Sequence, residues 1–240
     1  MTTLSRITFT LLLGLLATSC NFDINMGPGK KGNGVIANDT RSITENFNRV
    51  SVSEGLDVYI TQADDFEITI EADENIIDLI QTDIKNGRLK IHARENIGRA
   101  TKKIFVSMPV IAGLSSSSGA DLETKTIINA DEIDLDASSG ADLVVSLKAS
   151  YIDASSSSGA DIKISGETED LNADASSGAN INAKNLKTKT CEADASSGAG
   201  IRVDVSEKLV ADASSGGDIT YTGSAEVTKN KSVSGSVRKR

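Results

Sequence analysis

Hydrophobic and polar residues alternate along almost the whole chain from Phe47 onward. In "RVSVSEGLDVYITQ" the apolar positions are Val50, Val52, Leu56, Val58 and Ile60, and in "FEITIEA" they are Phe66, Ile68 and Ile70. A period of two is what a strand with one buried face requires, so both stretches predict strands. "DENIIDLIQTDI", Asp73 to Ile84, fits either a short helix or an irregular crossing. Asn86-Gly87 sits between two alternating segments and supplies the positive φ values of a type I′ hairpin turn. "KKIFVSMPV" predicts a further strand ending near Pro109. Helical period is nearly absent after the first twenty residues.

Beyond Pro109 the pattern becomes a repeat. "DASSGADL", Asp136 to Leu143, returns in five further variants, and the six glycines are Gly119, Gly140, Gly159, Gly178, Gly198 and Gly216, at intervals of 21, 19, 19, 20 and 18 residues. A degenerate copy, "VSGSV", places Gly235 another 19 residues on. Aligned on this glycine, the recurring apolar positions fall at odd offsets. Seven before it stand Ile133, Ile152, Leu171, Cys191 and Leu209; five before, Leu114, Leu135, Ala154, Ala173, Ala193 and Ala211. Three after it stand Leu122, Leu143, Ile162, Ile181, Ile201 and Ile219. Even offsets carry Asp134, Asp136, Asp153, Asp174, Asp194 and Asp212 before the glycine, and Asp121, Asp142, Asp161, Asn180 and Asp218 after it.

A straight strand of ~20 residues would extend ~66 Å at ~3.3 Å per residue, so each copy must turn corners. The glycine marks one corner, through positive φ and close backbone approach; the flanking Ala and Ser are expected to line a narrowing interior. A second corner is expected in the variable segments, such as 165–170 or 184–190. A repeat of this length made only of strands predicts an all-β, single-stranded parallel β-helix with coils of ~20 residues. Right-handed winding is the default for parallel connections. The serines are expected to form hydroxyl ladders along the stack.

Composition narrows the picture. Aromatics are 3% and Trp is absent, which suits a thin elongated core better than a compact one. The net charge of −9 excludes nucleic acid as the expected partner. Arg6 followed by the apolar run Ile7 to Ala17 reads as a secretory signal, too short to span a bilayer. It ends in "ATSC", which resembles a bacterial lipobox with its aliphatic residue one place early, at Leu16; Cys20 is the expected lipidation site. The expected organisation is a lipoprotein signal peptide (1–20), a Gly/Asn/Lys-rich flexible tether (21–41) and a β-helical domain (42–236). The domain comprises lead-in strands 42–109 and repeat coils 110–236, and a basic tail, 237–240, follows. With Cys20 acylated, Cys191 is left without a disulfide partner and is read as a small buried hydrophobe.

The strand block "FNRVSVSEGLDVYI", the block "EADENIIDLIQTDIKNGRLKI" and the serial "SSGADL", "SSGADI" and "SSGANI" copies together resemble the putative auto-transporter adhesin, head-GIN-domain proteins of Bacteroidota. The resemblance covers about residues 45–225. It implies a β-helical fold and an outer-membrane, lipid-anchored location on the periplasmic or cell-surface face. It transfers no catalytic residue.

Candidate chemistry is sparse. His92 is the single histidine and cannot build a zinc site with one distant Cys; it is read as an exposed strand residue. The SSGAD serines have no base beside them, as a nucleophile would need. The column Asp121, Asp142, Asp161, Asn180 and Asp218 is the candidate ligand ladder. Carboxylates ~4.8 Å apart repel, and either splay into solvent or share a cation such as calcium. No other cofactor or metal is expected. Three classes of function remain open: a non-catalytic envelope lipoprotein binding an unknown protein or glycan through a β-helix face, a carbohydrate-active β-helix enzyme, and a structural envelope protein. Clustered basic residues at the C-terminus, Lys229, Lys231, Arg238, Lys239 and Arg240, read either as a charged cap on the stack or as a contact to anionic lipid. A monomer is expected.

Overall fold

The computed structural model describes residues 28–229 and 234–240; the proposed signal peptide, the lipobox and Cys20 lie outside them. The first strand is β1 (Ile36–Thr40), and β2 (Arg49–Val52), β3 (Asp57–Gln62) and β4 (Glu67–Asp73) follow. A single 3₁₀ turn, Ile77–Leu79, leads into β5 (Ile80–Lys85), so the ambiguous segment is a tight turn followed by a strand. Then come β6 (Arg88–Ala93), β7 (Lys102–Met108), β8 (Gly113–Ser116), β9 (Asp121–Thr124) and β10 (Ile128–Ala137). Four long bent strands carry the repeats: β11 (Asp142–Ser156), β12 (Asp161–Ala175), β13 (Asn180–Ala195) and β14 (Gly200–Ala213). The last are β15 (Asp218–Thr222), β16 (Glu226–Lys229) and β17 (Ser236–Lys239).

From β8 onward each coil pairs parallel with the next at the offsets the repeat dictates. Leu114, Leu135, Ala154, Ala173, Ala193 and Ala211 form one internal column, each in register with the next. Leu122, Leu143, Ile162, Ile181, Ile201 and Ile219 form another, and all twelve of these side chains are buried. The molecule is thus a parallel β-solenoid with coils of about 19 residues. Cys191 stacks between Leu171 and Leu209, and burial pushes its thiol up to about 12, so it acts as a hydrophobe and not as a nucleophile.

The lead-in strands are more than an approach to the coils. β2 and β3 pair parallel with β6 and β7 on one side and with β8 and β9 on the other. The chain therefore lays down an inner rung first, leaves to build the end of the stack, and returns on the far side. The end is sealed by antiparallel pairs, β5 on β6 and β4 on β7, with β1 outermost on β4. Antiparallel capping removes the open parallel edge on which another chain could add. The Asn86-Gly87 hairpin that joins β5 to β6 has φ of 53° and 72°.

Two segment assignments change. Residues 36–40, placed in the tether, form β1; ahead of them, Asp73, 3% exposed, accepts the backbone N–H of Gly34, and that of Thr101 at 2.6 Å. A buried carboxylate held by backbone donors fixes this segment to the cap. The basic tail likewise is β17, parallel to β15, with Ile219 opposite Val237.

The corner also differs from its sequence reading. In each stamp the second serine and the glycine are both left-handed: Ser118 at 53° and Gly119 at 68°, Ser139 at 54° and Gly140 at 68°, Ser158 at 55° and Gly159 at 72°. The N–H of Ala120 closes the turn on Ser117 O at 3.2 Å, the signature of a type I′ turn. A side chain on Gly119, Gly140 or Gly159 would meet nothing within 4 Å. These glycines therefore serve positive φ alone and not close approach, and Ser118 and its equivalents face solvent and not a narrowing interior. The interior small residues are the one after the glycine, such as Ala120 and Ala160, and the one three before it, such as Ala137, Ala175 and Ala195, all buried. The ladder between corners runs through backbone: each glycine N–H donates to the serine carbonyl of the next coil, at 3.1 Å from Gly119 to Ser139 and from Gly140 to Ser158. Hydroxyls of Ser116 and Ser156 turn inward within their own corners, onto Ala120 O and Ala160 O at 2.8 and 2.9 Å.

Candidate functional site

The corner divides the surface into two faces. The face before it is an acidic wall. Asp134, Asp153, Asn172 and Glu192 stand in one column, and Asp136, Ser155, Asp174, Asp194 and Asp212 in the column beside it. Strand alternation puts all of them outside while Leu135, Ala154, Ala173 and Ala193 fill the inside. Two recesses share this wall. One, of about 470 Å³, follows the corner between Asp136, Asp174 and Asp194 and the serines Ser138, Ser157 and Ser176. The other, of about 550 Å³, lies beside Tyr151, with Asp170, Asn172, Thr190 and Glu192 around it.

The wall is tuned by its neighbours. Asn172 donates from Nδ2 to Asp153 at 3.0 Å and to Asp174 at 3.3 Å, so an amide separates two carboxylates that would otherwise oppose each other. At one end Arg49 reaches Asp134 at 2.6 Å across the intervening rung. That rung carries Gly113, where a Cβ would stand 2.6 Å from the guanidinium. Toward the middle, Asp174 and Asp194 form no ion pair with a described Lys or Arg. Burial pushes the carboxyls of Asp136, Asp174 and Asp194 above their ordinary range, and carboxylates on adjacent rungs push further; Ser115 and Asn172 partly oppose this at Asp136 and Asp174. Tyr151, 36% exposed, is likewise raised by burial and by the surrounding acids.

These shifts fix a pH dependence. A carboxyl that titrates higher in the folded chain takes its proton first in the folded state, so acidification favours folding until the unfolded value of ~4 is passed. Asp121, Asp136, Asp174 and Asp194 all shift in this direction. The melting temperature is therefore expected to rise as pH falls from neutrality toward ~4. A double Asp174→Asn, Asp194→Asn variant should be more stable at neutral pH and show a flatter profile. Thermal melts across this range check it; a wild-type melting temperature that falls steadily over the same range contradicts it.

Past the corner, Asp121, Asp142, Asp161 and Asn180 stand in register on successive rungs, and Asp218 follows after Gly200. The column begins earlier than its sequence reading, with Asp57 opposite Asp121. Asp57 follows Gly55, whose φ of 65°, with 66° at Glu54, makes "SEGL" a corner of the same kind; Gly55 N–H donates to Ser118 O at 3.1 Å. The signal was present in Val50, Val52, Val58 and Ile60, which occupy the offsets −5, −3, +3 and +5 used by the later copies. Asn180 donates to Asp161 at 2.8 Å, which relieves the column locally. The acids lie one per rung, and no group of three or more His, Cys, Asp or Glu among the described residues is placed to hold a metal ion. His92 is half-buried on β6 and bonds Asp83 at 2.8 Å.

A larger groove, of about 960 Å³, runs over Val110, Ala112, Ala130 and Ala149. Its two lysines are both paired: Lys148 lies 3.7 Å from Glu167, and Lys189 lies 2.7 Å from Glu169. The wall offers the carboxylates of Asp174, Asp194 and Glu192, none in an ion pair with a described residue, beside an exposed ring, and is the stronger candidate.

Among solved structures, the chain is similar to a putative adhesin from Bacteroides fragilis NCTC 9343, with a TM-score of 0.75 at 20% identity, over 88% of this chain and 100% of that one. It is similar to a putative lipid binding protein from Parabacteroides distasonis ATCC 8503, with a TM-score of 0.72 at 17% identity, over 88% and 99%. A putative adhesin from Parabacteroides merdae ATCC 43184 gives 0.69 at 19%, over 88% and 99%. Identities this low carry the fold alone. No curated protein matches the sequence. The model of one family matches residues 46–225, from ahead of the first corner to the last coils. The chain belongs to the putative auto-transporter adhesin, head GIN domain family.

Proposed function

We propose that this chain is a non-catalytic cell-envelope lipoprotein, anchored by acyl chains on Cys20, that holds a partner against the acidic wall ahead of its corners. The observation that carries this reading is the group Asp174, Asp194 and Glu192 beside the exposed ring of Tyr151, with Asp136 further along the same wall. A rigid wall with one chemical step per rung suits a repetitive or extended partner bearing amines, guanidinium groups or hydroxyl donors. Family membership supports the adhesin character and an envelope location. Lipidation through Cys20 rests on the signal-like run ahead of it.

The test is an array of glycans and extracellular-matrix proteins probed with the labelled full chain and with an Asp174→Lys, Asp194→Lys variant. Both positions are surface-facing, so the variant should fold. The expected result is a small set of features bound by the wild type and lost, by about tenfold or more, in the variant. Equal binding by the two proteins would move the site off the wall. Reproducible turnover of a polysaccharide would replace the reading with an enzymatic one.

A further inference from the structure

The face past the corner is acidic over its early rungs and changes character over its last ones. Where Asp142, Asp161 and Asn180 occupy successive rungs, the next position is Gly200. A Cβ at Gly200 would stand 2.8 Å from Asn180 Oδ1, so the glycine opens the column. The opening is a niche of about 150 Å³ lined by Asn182, Arg202, Asp218, Thr220, Arg238 and Arg240. Arg202, Thr220 and Arg238 occupy equivalent positions on three successive rungs. Strand register therefore places two guanidinium groups on either side of a hydroxyl.

The bonding state of these groups defines what they accept. Arg238 is held in place, with Nε donating to Ser236 Oγ at 2.6 Å and Nη2 3.5 Å from Asp218. The guanidinium groups of Arg202 and Arg240 have no partner among the described residues. Asn182 Oδ1 is buried and has no donor. The niche thus combines free cationic donors with a buried acceptor and the Asp218 carboxylate. A bare anion would satisfy the arginines and leave Asn182 unpaired. A neutral sugar would do the reverse. At ~30 Å³ per water the niche has room for about five waters, enough for one acidic group and the ring edge that bears it.

We propose that this niche binds the acidic unit of a carbohydrate, its carboxylate against Arg202 and Arg240 and its ring hydroxyls donating to Asp218 and, once the Asn182 amide turns toward the niche, to its Oδ1. Planar carboxylates pair with guanidinium forks, and a site that leaves polar atoms unsatisfied discriminates against ligands that lack the matching group. The site is independent of the wall ahead of the corner: it lies on the other face, and its failure leaves the wall untouched.

The test is an NMR titration of the full chain with D-glucuronate, with D-glucose and inorganic phosphate as parallel arms. Glucuronate is expected to shift the backbone amides of Gly200, Arg202, Thr220 and Arg238 saturably. Glucose should shift none of them, and phosphate should bind about tenfold more weakly. Arg202→Ala is expected to weaken glucuronate about tenfold or more. Gly200→Ala, which leaves every arginine in place and fills the niche, should weaken it comparably. Either variant must retain the wild-type amide pattern elsewhere, which separates loss of the site from loss of the fold. Phosphate binding as tightly as glucuronate would reduce the niche to a plain anion patch and overturn the proposal. So would glucose binding equally well, glucuronate affinity unchanged in both variants, or an absence of saturable shifts.

Discussion

Ile162→Ala is expected to remove about 2–5 kcal/mol of folding stability, read from the midpoint of a chemical denaturation curve. Ile162 is fully buried and sits in the column between Leu143 and Ile181. Truncation loses the transfer free energy of the deleted carbons and opens a void that the neighbouring rungs cannot fill, because their register is fixed on both sides by backbone pairing. In a stacked array each coil is stabilised chiefly by its two neighbours, so a weak central coil weakens the coupling of the halves as well as its own packing. A loss of less than ~1 kcal/mol would mean that the side chain is not part of a continuous column.

Gly166→Val should be the most damaging glycine substitution in the repeat region. Gly166 has φ of 123°, and a Cβ there would lie 1.8 Å from the carbonyl oxygen of Leu147, its partner on the preceding rung. The obstacle is backbone, so it yields only if two coils separate. The strained φ alone costs ~1–3 kcal/mol, and hydrogen bonds lost between the coils add to it. A total above ~3 kcal/mol is expected, read from the same denaturation experiment. Gly159→Asn is the matched control. Its φ of 72° is accessible to Asn and nothing lies within 4 Å of its Cβ position, so the cost should stay near ~1 kcal/mol or below. Equal costs at the two positions would mean that φ, and not the close approach of coils, decides both.

That contrast shows where the sequence is readable and where it is not. Period two fixes which side of a strand is inside, and a constant interval fixes which residues stack, so the internal columns from Leu114 to Ala211 and from Leu122 to Ile219 follow from counting. The cap does not follow. β2 and β3 end up between rungs that come later in the chain; their alternation marks them as a rung, but where that rung stacks is set by long-range pairing. β1 is hidden for a related reason: "IANDT" is an edge strand with three of its five residues exposed and none buried, and it reads as tether until Asp73 and β4 are seen to hold it. The corner was half legible. Gly signals positive φ by its chemistry, but Ser118 and its equivalents adopt the same region without any residue type that announces it. The acidic wall was visible as even-offset aspartates. Tyr151 is one of only two aromatics after Phe105, but its place on the wall is not legible, because only the register shows that it shares a surface with Glu192 and Asp194.

The claim that a partner lies on the wall is tested most directly by hydrogen–deuterium exchange of the full chain with and without an array-identified ligand. Protection is expected in 132–137, 151–156, 171–175 and 191–195, the segments that carry the wall on successive rungs. Protection confined to β1, β4 and β5 at the capped end, or confined to the groove over Ala130 and Ala149, would contradict it.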